Sequence, residues 1–321
     1  ELEALGRAMA ARLNHRGPDA HILWADADSG IVLGHTRLSI VDLSPAGAQP
    51  MVSSCGACVL SYNGEIYNAG DLRPELEARG RRFKGHSDTE VIVEAIAEWG
   101  VKATVERLIG MFAFALWDRR DRTLALVRDR LGIKPLYYGR QNGRLVFASE
   151  LKAFEVLPNW RPELNRDALA AYLRLAYVPS PHSIYRGIDK LAPGHVASID
   201  AKGNMKISAF WSVEQAAERG KSARFEVSDR EATDTLEMLL GDAVGRRLVA
   251  DVPLGAFLSG GIDSSTVAAM MRMRSNAPVR TYSIGFKEEG FDEAPHARAV
   301  AAHLGTEHTE LYVSPEQVEE V

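Results

Sequence analysis

Leu254-Gly-Ala-Phe-Leu-Ser-Gly-Gly-Ile-Asp-Ser-Ser265 is an apolar run that empties into a Ser-Gly-Gly turn and then starts a helix. Read as strand, loop and helix, it is a seat for phosphate. Gly260 and Gly261 lack a Cβ, so the backbone is free to take positive φ and turn several N–H groups toward one anion. A helix N-terminus behind them adds a dipole that favours negative charge. Asp263 then brings a carboxylate next to phosphate, an arrangement that calls for a bridging divalent cation, so Mg²⁺ is expected. The loop is neither Gly-x-Gly-x-x-Gly nor Gly-x-x-x-x-Gly-Lys-Ser/Thr, which excludes a dinucleotide fingerprint and a Walker loop as written.

Outward from this stretch, a helix at about 230 to 248 carries Leu236, Leu239, Leu240, Val244 and Leu248 on one side. Downstream come a strand at Arg280-Thr-Tyr-Ser-Ile-Gly-Phe286, a helix from about Glu293 to Leu304 stopped by Gly305, and a strand from His308 to Val313. The pattern predicts an α/β doubly wound parallel sheet, incomplete at 321, with ligand at the C-terminal ends of its strands. Ser259-Gly260-Gly261-Ile262-Asp263-Ser264 resembles the pyrophosphate loop of the ATP pyrophosphatases, enzymes that adenylate a carboxylate or carbonyl oxygen and release pyrophosphate.

The first half reads differently. Leu2, Leu5, Met9 and Leu13 open the chain in an amphipathic helix, and the absence of an initiator Met makes the start look like a cut. Strands are expected at 31–36, at Leu38-Ser-Ile-Val41, and at Cys58-Val-Leu-Ser-Tyr62, the last ending at Asn63-Gly64. Ser87-Asp-Thr-Glu90 fits a capping box before a helix whose apolar face is Val91, Ile92, Ala95, Ile96 and Trp99. Short apolar segments at Met111–Trp117, Leu124–Val127, Leu136–Tyr138 and Leu145–Phe147 follow, with Asn142-Gly143 as a hairpin signal. Helices flank the strands rather than alternating with them, which predicts an α+β sandwich. The expected division is 1–160, a proline-punctuated connecting region at 161–229, and 230–321.

The length of 321 residues suits about two domains. Hydrophobic content of 46% and charged content of 25% belong to a soluble globular chain. A net charge of −5 offers no footprint for nucleic acid or an anionic membrane. The Arg79, Arg81, Arg82, Lys84 cluster is read as a solvated turn. No apolar run nears ~20 residues and no signal peptide is evident, so a cytoplasmic enzyme is expected. Cys55 and Cys58 are the only cysteines; zinc wants four ligands and thioredoxin-like chemistry a strand-to-helix setting, so two reduced thiols near a turn are expected.

His15-Arg-Gly-Pro-Asp19, Arg37-Leu-Ser-Ile-Val-Asp42, Gly47-Ala-Gln-Pro50, Asn63-Gly-Glu-Ile-Tyr-Asn68, Ser87-Asp-Thr-Glu90, Gly110-Met-Phe-Ala-Phe114 and Arg128-Asp-Arg-Leu-Gly-Ile-Lys-Pro135 occur in this order. Together with the pyrophosphate loop they resemble the glutamine-hydrolysing asparagine synthetases over essentially the whole chain. The resemblance implies an N-terminal-nucleophile hydrolase sandwich whose cysteine, at the mature N-terminus, attacks the glutamine side-chain amide with its own α-amino group as base. The chain begins with Glu1, so that cysteine is expected a short way upstream.

By the same resemblance, Arg37 grips the glutamine α-carboxylate and Asp88 its α-ammonium, with the backbone of Leu38, Ser39, Ile40 and Val41 at the ligand. Asn63 and the Gly64 N–H form the oxyanion hole, with Glu65 beside them. ATP falls on Leu258, Ser259, Gly260, Gly261, Asp263, Ser264 and Ser265, with adenine near Leu258 and Ser283, Ile284 and Gly285, and Asp263 meeting pyrophosphate through Mg²⁺. Aspartate would be adenylated, and ammonia would turn it into asparagine with release of AMP and pyrophosphate. Alternatives are an amidotransferase of the same architecture acting on a sugar acid or β-lactam precursor, an RNA-modifying enzyme with a pyrophosphate loop, and an inactive fragment that binds glutamine. A homodimer is left open.

Overall fold

A computed structural model describes residues 1–275, 277–286 and 292–314, and the chain divides into two compact units, Glu1–Ala223 and Arg224–Val321. The first unit runs α1 (Leu2–Ala11), β1 (Ala20–Asp26), β2 (Ile31–Arg37), β3 (Met51–Val52), β4 (Cys58–Ile66), α2 (Ala69–Ala78), α3 (Asp88–Arg107), β5 (Gly110–Asp118) and β6 (Thr123–Arg128). It continues with β7 (Tyr137–Gln141), β8 (Arg144–Ala148), α4 (Arg166–Leu175), β9 (Ile188–Lys190), β10 (His195–Ile199), β11 (Met205–Ala209) and α5 (Val213–Ser222).

Side-chain alternation explains the layering. In β5, Phe112, Phe114 and Leu116 join one core, while Ala113, Ala115 and Trp117 join another. A strand whose both faces are apolar must be covered on both sides. The six-stranded antiparallel sheet β11-β10-β6-β5-β4-β3 is covered on one face by Leu72 and Leu76 of α2 and Val91, Ile92, Ala95 and Ile96 of α3. Its other face packs on β1-β2 and on β8-β7-β9 through Leu33, Tyr138, Leu145 and Phe147. Behind that inner layer, Leu5 and Met9 of α1 and Phe154 of the short helix Leu151–Val156 close a third core. The result is an α+β sandwich with helices outside and two sheet layers inside, as the flanking pattern predicted. Each fully buried Phe or Leu contributes on the order of 2 kcal/mol.

Several details depart from the sequence reading. Ala20–Asp26 is a strand, paired with β2 along its whole length. Leu38-Ser-Ile-Val41 is a loop, because the Arg37 guanidinium ties the following carbonyls of Asp42 and Ser44 and the Ser39 N–H goes to Asp19. Asn63-Gly64 does not end its strand; pairing with β5 continues to Ile66↔Gly110. Ser87 caps α3, but Glu90 does not return to it and instead accepts the Lys84 and Gly85 N–H groups at 2.8 and 3.0 Å. The stretch 161–229, expected as a connector, supplies α4, α5 and three strands, two of which extend the six-stranded sheet; β10 joins it by pairing with β6, which no local signal specifies, and β11 pairs with β10.

The second unit contains α6 (Asp229–Arg246), β12 (Gly255–Phe257), α7 (Ile262–Arg274), β13 (Arg280–Phe286), α8 (Ala294–Leu304) and β14 (Glu307–Val313). Its strands are parallel in the order β12-β13-β14, as the β-α-β pattern requires. Leu258, Ala268, Ala297 and Ala301 form one small core, and Val244, Met271 and Val279 another. Of the apolar side expected on α6, Leu236 and Leu239 are more than half exposed among the described residues. No described helix is long and apolar enough to cross a membrane.

Candidate functional site

The edge of β4 is the centre of the first site. β3 covers β4 only at Val59 and Leu60, while β5 flanks its whole length. Beyond residue 60 the side away from β5 is therefore taken by side chains: Gln49 Oε1 accepts the Tyr62 N–H at 2.7 Å, and Asp88 Oδ2 accepts the Ile66 N–H at 2.8 Å. Alternate N–H groups of a strand point to the same edge. The Gly64 N–H thus points to this edge, midway between those two anchors. Only glycine fits there, since a Cβ would lie 2.2 Å from the Met111 carbonyl oxygen. Asn63, one residue away, turns to the inner face, where its Nδ2 is buried with no hydrogen-bond partner. It borders an apolar cavity of about 640 Å³ lined also by Leu5, Met9, Val32 and Phe147.

Asp88 stands at the first position of α3 and accepts the Tyr62 hydroxyl at 2.8 Å as well as the Ile66 N–H. Burial raises its carboxyl above the ordinary value, against the pull of those two hydrogen bonds. Tyr62 in turn is pushed well up by burial and by the Asp88 charge. Arg37, the last residue of β2, donates to the carbonyl oxygens of Asp42 and of Ser44, the latter at 3.2 Å. Leu38, Ser39, Ile40 and Val41 span the loop between them, Leu38 more than half exposed. Asn63, Gly64 and Glu65 thus lie between the two points where Asp88 grips β4, and Arg37 reaches the same region through the Asp42 loop.

Three residues in this web drew no role from sequence: Asp42, Gln49 and Tyr62. Asp42 is 1% exposed with φ 56°, and its carboxylate accepts from the Ser44 N–H and hydroxyl and, at 2.9 Å, from the His86 N–H. Burial alone would raise it, but these donors hold its carboxyl below the usual range. Buried Gln49 also donates to Thr89 at 3.2 Å, so it ties β4 to α3. For Asp42 and Gln49 the available signal was a polar residue inside a quoted motif, which a buried position must satisfy; Tyr62 lies just before one.

The second site is the turn at Ser259. Leu258 N–H bonds the Tyr282 carbonyl at 2.8 Å and buried Ser283 donates to the Leu258 carbonyl, so β13 fixes where the loop begins. Gly260 has φ +81° and leaves no room for a Cβ, which would sit 2.7 Å from the Ala297 nitrogen. The hydroxyls of Ser259 and Ser264 meet across the turn at 2.9 Å. Gly261 caps α7 without a side chain, leaving the first-turn N–H groups of Asp263 and Ser264 without a capping group, and the buried Ser265 hydroxyl has no partner. Ile284 is half exposed beside Ser283 and Gly285. Uncapped N–H groups, the unpartnered Ser265 hydroxyl and one first-turn carboxylate thus stand together at this turn, the kind of arrangement that suits an anion.

Among the described residues no three His, Cys, Asp or Glu side chains cluster to hold a metal by themselves. Cys55 is exposed and Cys58 buried, both free. Arg81 pairs with Glu94 and Glu98 and Arg79 with Glu75 and Glu98, so the cluster expected as a solvated turn is instead tied by ion pairs to α2 and α3, with the Arg81 side chain largely covered.

Residues 2–211 match the family model of the glutamine amidotransferase domain, and residues 235–321 match that of asparagine synthase. The chain is 34% identical to glutamine-hydrolysing asparagine synthetase 3 of Bacillus subtilis, covering 95% of this chain and 51% of that protein. Glutamine-hydrolysing asparagine synthetase 1 of the same organism is 35% identical, with 98% and 48% covered. Amidase chry2 of Gibberella zeae is 34% identical, with 91% and 44% covered. The chain spans about half the length of the curated relatives it matches. It belongs to the glutamine amidotransferase domain family and carries asparagine synthase sequence behind that domain, the pairing it shares with the glutamine-hydrolysing asparagine synthetases.

Proposed function

We propose that the first unit releases the amide nitrogen of glutamine and that the second activates a carboxylate with ATP to receive it. The observation that carries this reading is the open edge of β4. There the Gly64 N–H and the unpartnered Asn63 amide are donors for a developing oxyanion, with Asp88 at one end and Arg37 joined through Asp42 at the other. Arg37 reads the α-carboxylate and Asp88 the α-ammonium, so a free amino acid is preferred over a peptide. The nucleophile implied by the resemblance is an N-terminal cysteine with its own amine as base; Cys55 and Cys58 are internal and carry no free amine.

In the second unit the ATP phosphates sit on the N–H groups of Gly261, Asp263 and Ser264, with Ser259 and Ser265 hydroxyls alongside and adenine at Leu258 and Ile284. A lone first-turn carboxylate fits Mg²⁺, which takes one or two carboxylates and completes its shell with phosphates and water. When bound through Asp263 it would neutralise the leaving pyrophosphate. The acceptor is the aspartate side chain, adenylated with loss of pyrophosphate and then attacked by ammonia to give asparagine and AMP. Such a protein works in the cytoplasm, as a monomer or homodimer.

The test is stoichiometry in the whole protein: AMP and pyrophosphate should form in step with asparagine, and ADP with phosphate would overturn the adenylation. Asn63→Ala should lower glutamine hydrolysis by about 10²–10³-fold in kcat. One similar protein bears the name of an amidase rather than of an asparagine synthetase, which keeps a second reading in view, another carboxylate as acceptor. Only the true acceptor stimulates pyrophosphate release, so a panel of aspartate, sugar acids and β-lactam precursors separates the two.

A further inference from the structure

We propose that Asp42 is a positioning residue that sets the spacing between Arg37 and Asp88, and so the length of amino-acid backbone the pocket accepts. The inference rests on the glutamine-pocket reading above and deepens it. Asp42 touches both sides. Its carbonyl oxygen receives the Arg37 guanidinium, and its carboxylate receives the His86 N–H, two residues before Asp88. The same carboxylate folds its own loop by accepting both Ser44 donors.

The fit is tight on every side. A Cβ at Gly85 would lie 2.1 Å from Asp42 Oδ2 and 2.9 Å from Ala46 Cβ, so the 84–87 segment lies directly on the carboxylate. A left-handed residue 1% exposed cannot relax without moving its neighbours. On the far side, Glu90 holds the Lys84 and Gly85 N–H groups, which ties the segment to α3 and therefore to Asp88. The path from one charge to the other is thus a chain of half-buried hydrogen bonds with Asp42 at its middle. A guanidinium grips a carboxylate well only in a narrow range of orientations, so loosening the Asp42 loop should be felt at the carboxylate end of the ligand.

The test uses the chain as it stands, titrated by NMR with L-glutamine and with 4-aminobutanamide, which lacks the α-carboxylate. Asp42→Asn should weaken L-glutamine at least tenfold and leave 4-aminobutanamide within twofold. In an Arg37→Ala background the same change should add nothing further. Ser44→Ala, at an exposed position, removes one donor to Asp42 and should act in the same direction by a smaller factor, which keeps the test alive if Asp42→Asn unfolds. Equal weakening of both ligands, or full additivity with Arg37→Ala, would overturn the positioning role and leave Asp42 a general structural group. Failure of the wild-type chain to bind L-glutamine, or indifference to Arg37→Ala alone, would overturn the pocket reading and the inference with it.

Discussion

Gly64→Ala is the sharpest test of the β4 edge. The new methyl would lie 2.2 Å from the Met111 carbonyl oxygen, 2.8 Å from Phe112 Cα and 2.9 Å from the Tyr62 ring. Two of these atoms are β5 backbone, so no rotamer change relieves them. The strands must part by about 1 Å to reach ordinary contact, in a core packed on both faces. Overpacking of this kind costs about 1–3 kcal/mol. For a unit of the size of Glu1–Ala223, that corresponds to a fall in Tm of roughly 2–12 °C. Gly70→Ala is the control: its Cβ meets nothing within 4 Å in α2, and helix propensity should add up to about 1 kcal/mol. Both are read by circular dichroism melting. A Gly64→Ala protein that melts within about 1 °C of wild type would refute the close approach of β5, and with it the orientation assigned to the Gly64 N–H.

Burial, seconded by the charge of Arg37, depresses His35 to about 4. A folded value below the unfolded one means the unfolded chain binds the proton first, so stability contributed by neutral His35 is present above about 6.5, declines as pH falls toward 4 and levels off below. Its imidazole resonance should titrate near 4 by NMR, and a value near 6.5 would contradict the burial. Hydrogen bonding from Ser53 leads the factors that lower Cys55, whereas burial pushes Cys58 up to about 12. Iodoacetamide in mildly alkaline buffer should therefore modify Cys55 alone, read by peptide mass spectrometry, until denaturant exposes Cys58. Gly260→Ala must place a side chain at φ +81° and 2.7 Å from α8 backbone. It should abolish nucleotide uptake measured by calorimetry; retention of uptake would refute the phosphate seat.

The parts legible in advance were those set by short-range rules. Asn142-Gly143 forms its hairpin because both residues take positive φ, at 50° and 76°. Ser87 caps α3, whose Val91, Ile92, Ala95 and Ile96 are buried as their spacing requires, while Leu5 and Met9 of α1 are half-buried against the third core. The β-α-β run of the second unit folds with parallel strands and a glycine turn where the pattern put them. Misreadings arose where a distant partner overrode local preference. Asn63-Gly64 looks like a turn but is held straight by nine paired residues of β5, and Leu38–Val41 looks like a strand but is claimed by Arg37 and Asp19.

Residue chemistry thus named the glycines and the carboxylate of the second candidate site, since anion binding and strained turns need particular side chains wherever they occur, while Arg37, Asn63, Gly64 and Asp88 of the first were named by resemblance. What no local pattern contained was the web that connects them. Asp42, Gln49 and Tyr62 matter because α3, β4 and the 38–47 loop meet, and a buried polar atom must be satisfied by whatever segment lies against it. The same holds for the free edge at Gly64, which exists because β3 is two residues long while β4 is nine. Neighbours in space, not in sequence, decide which hydrogen-bond donors are left for a ligand.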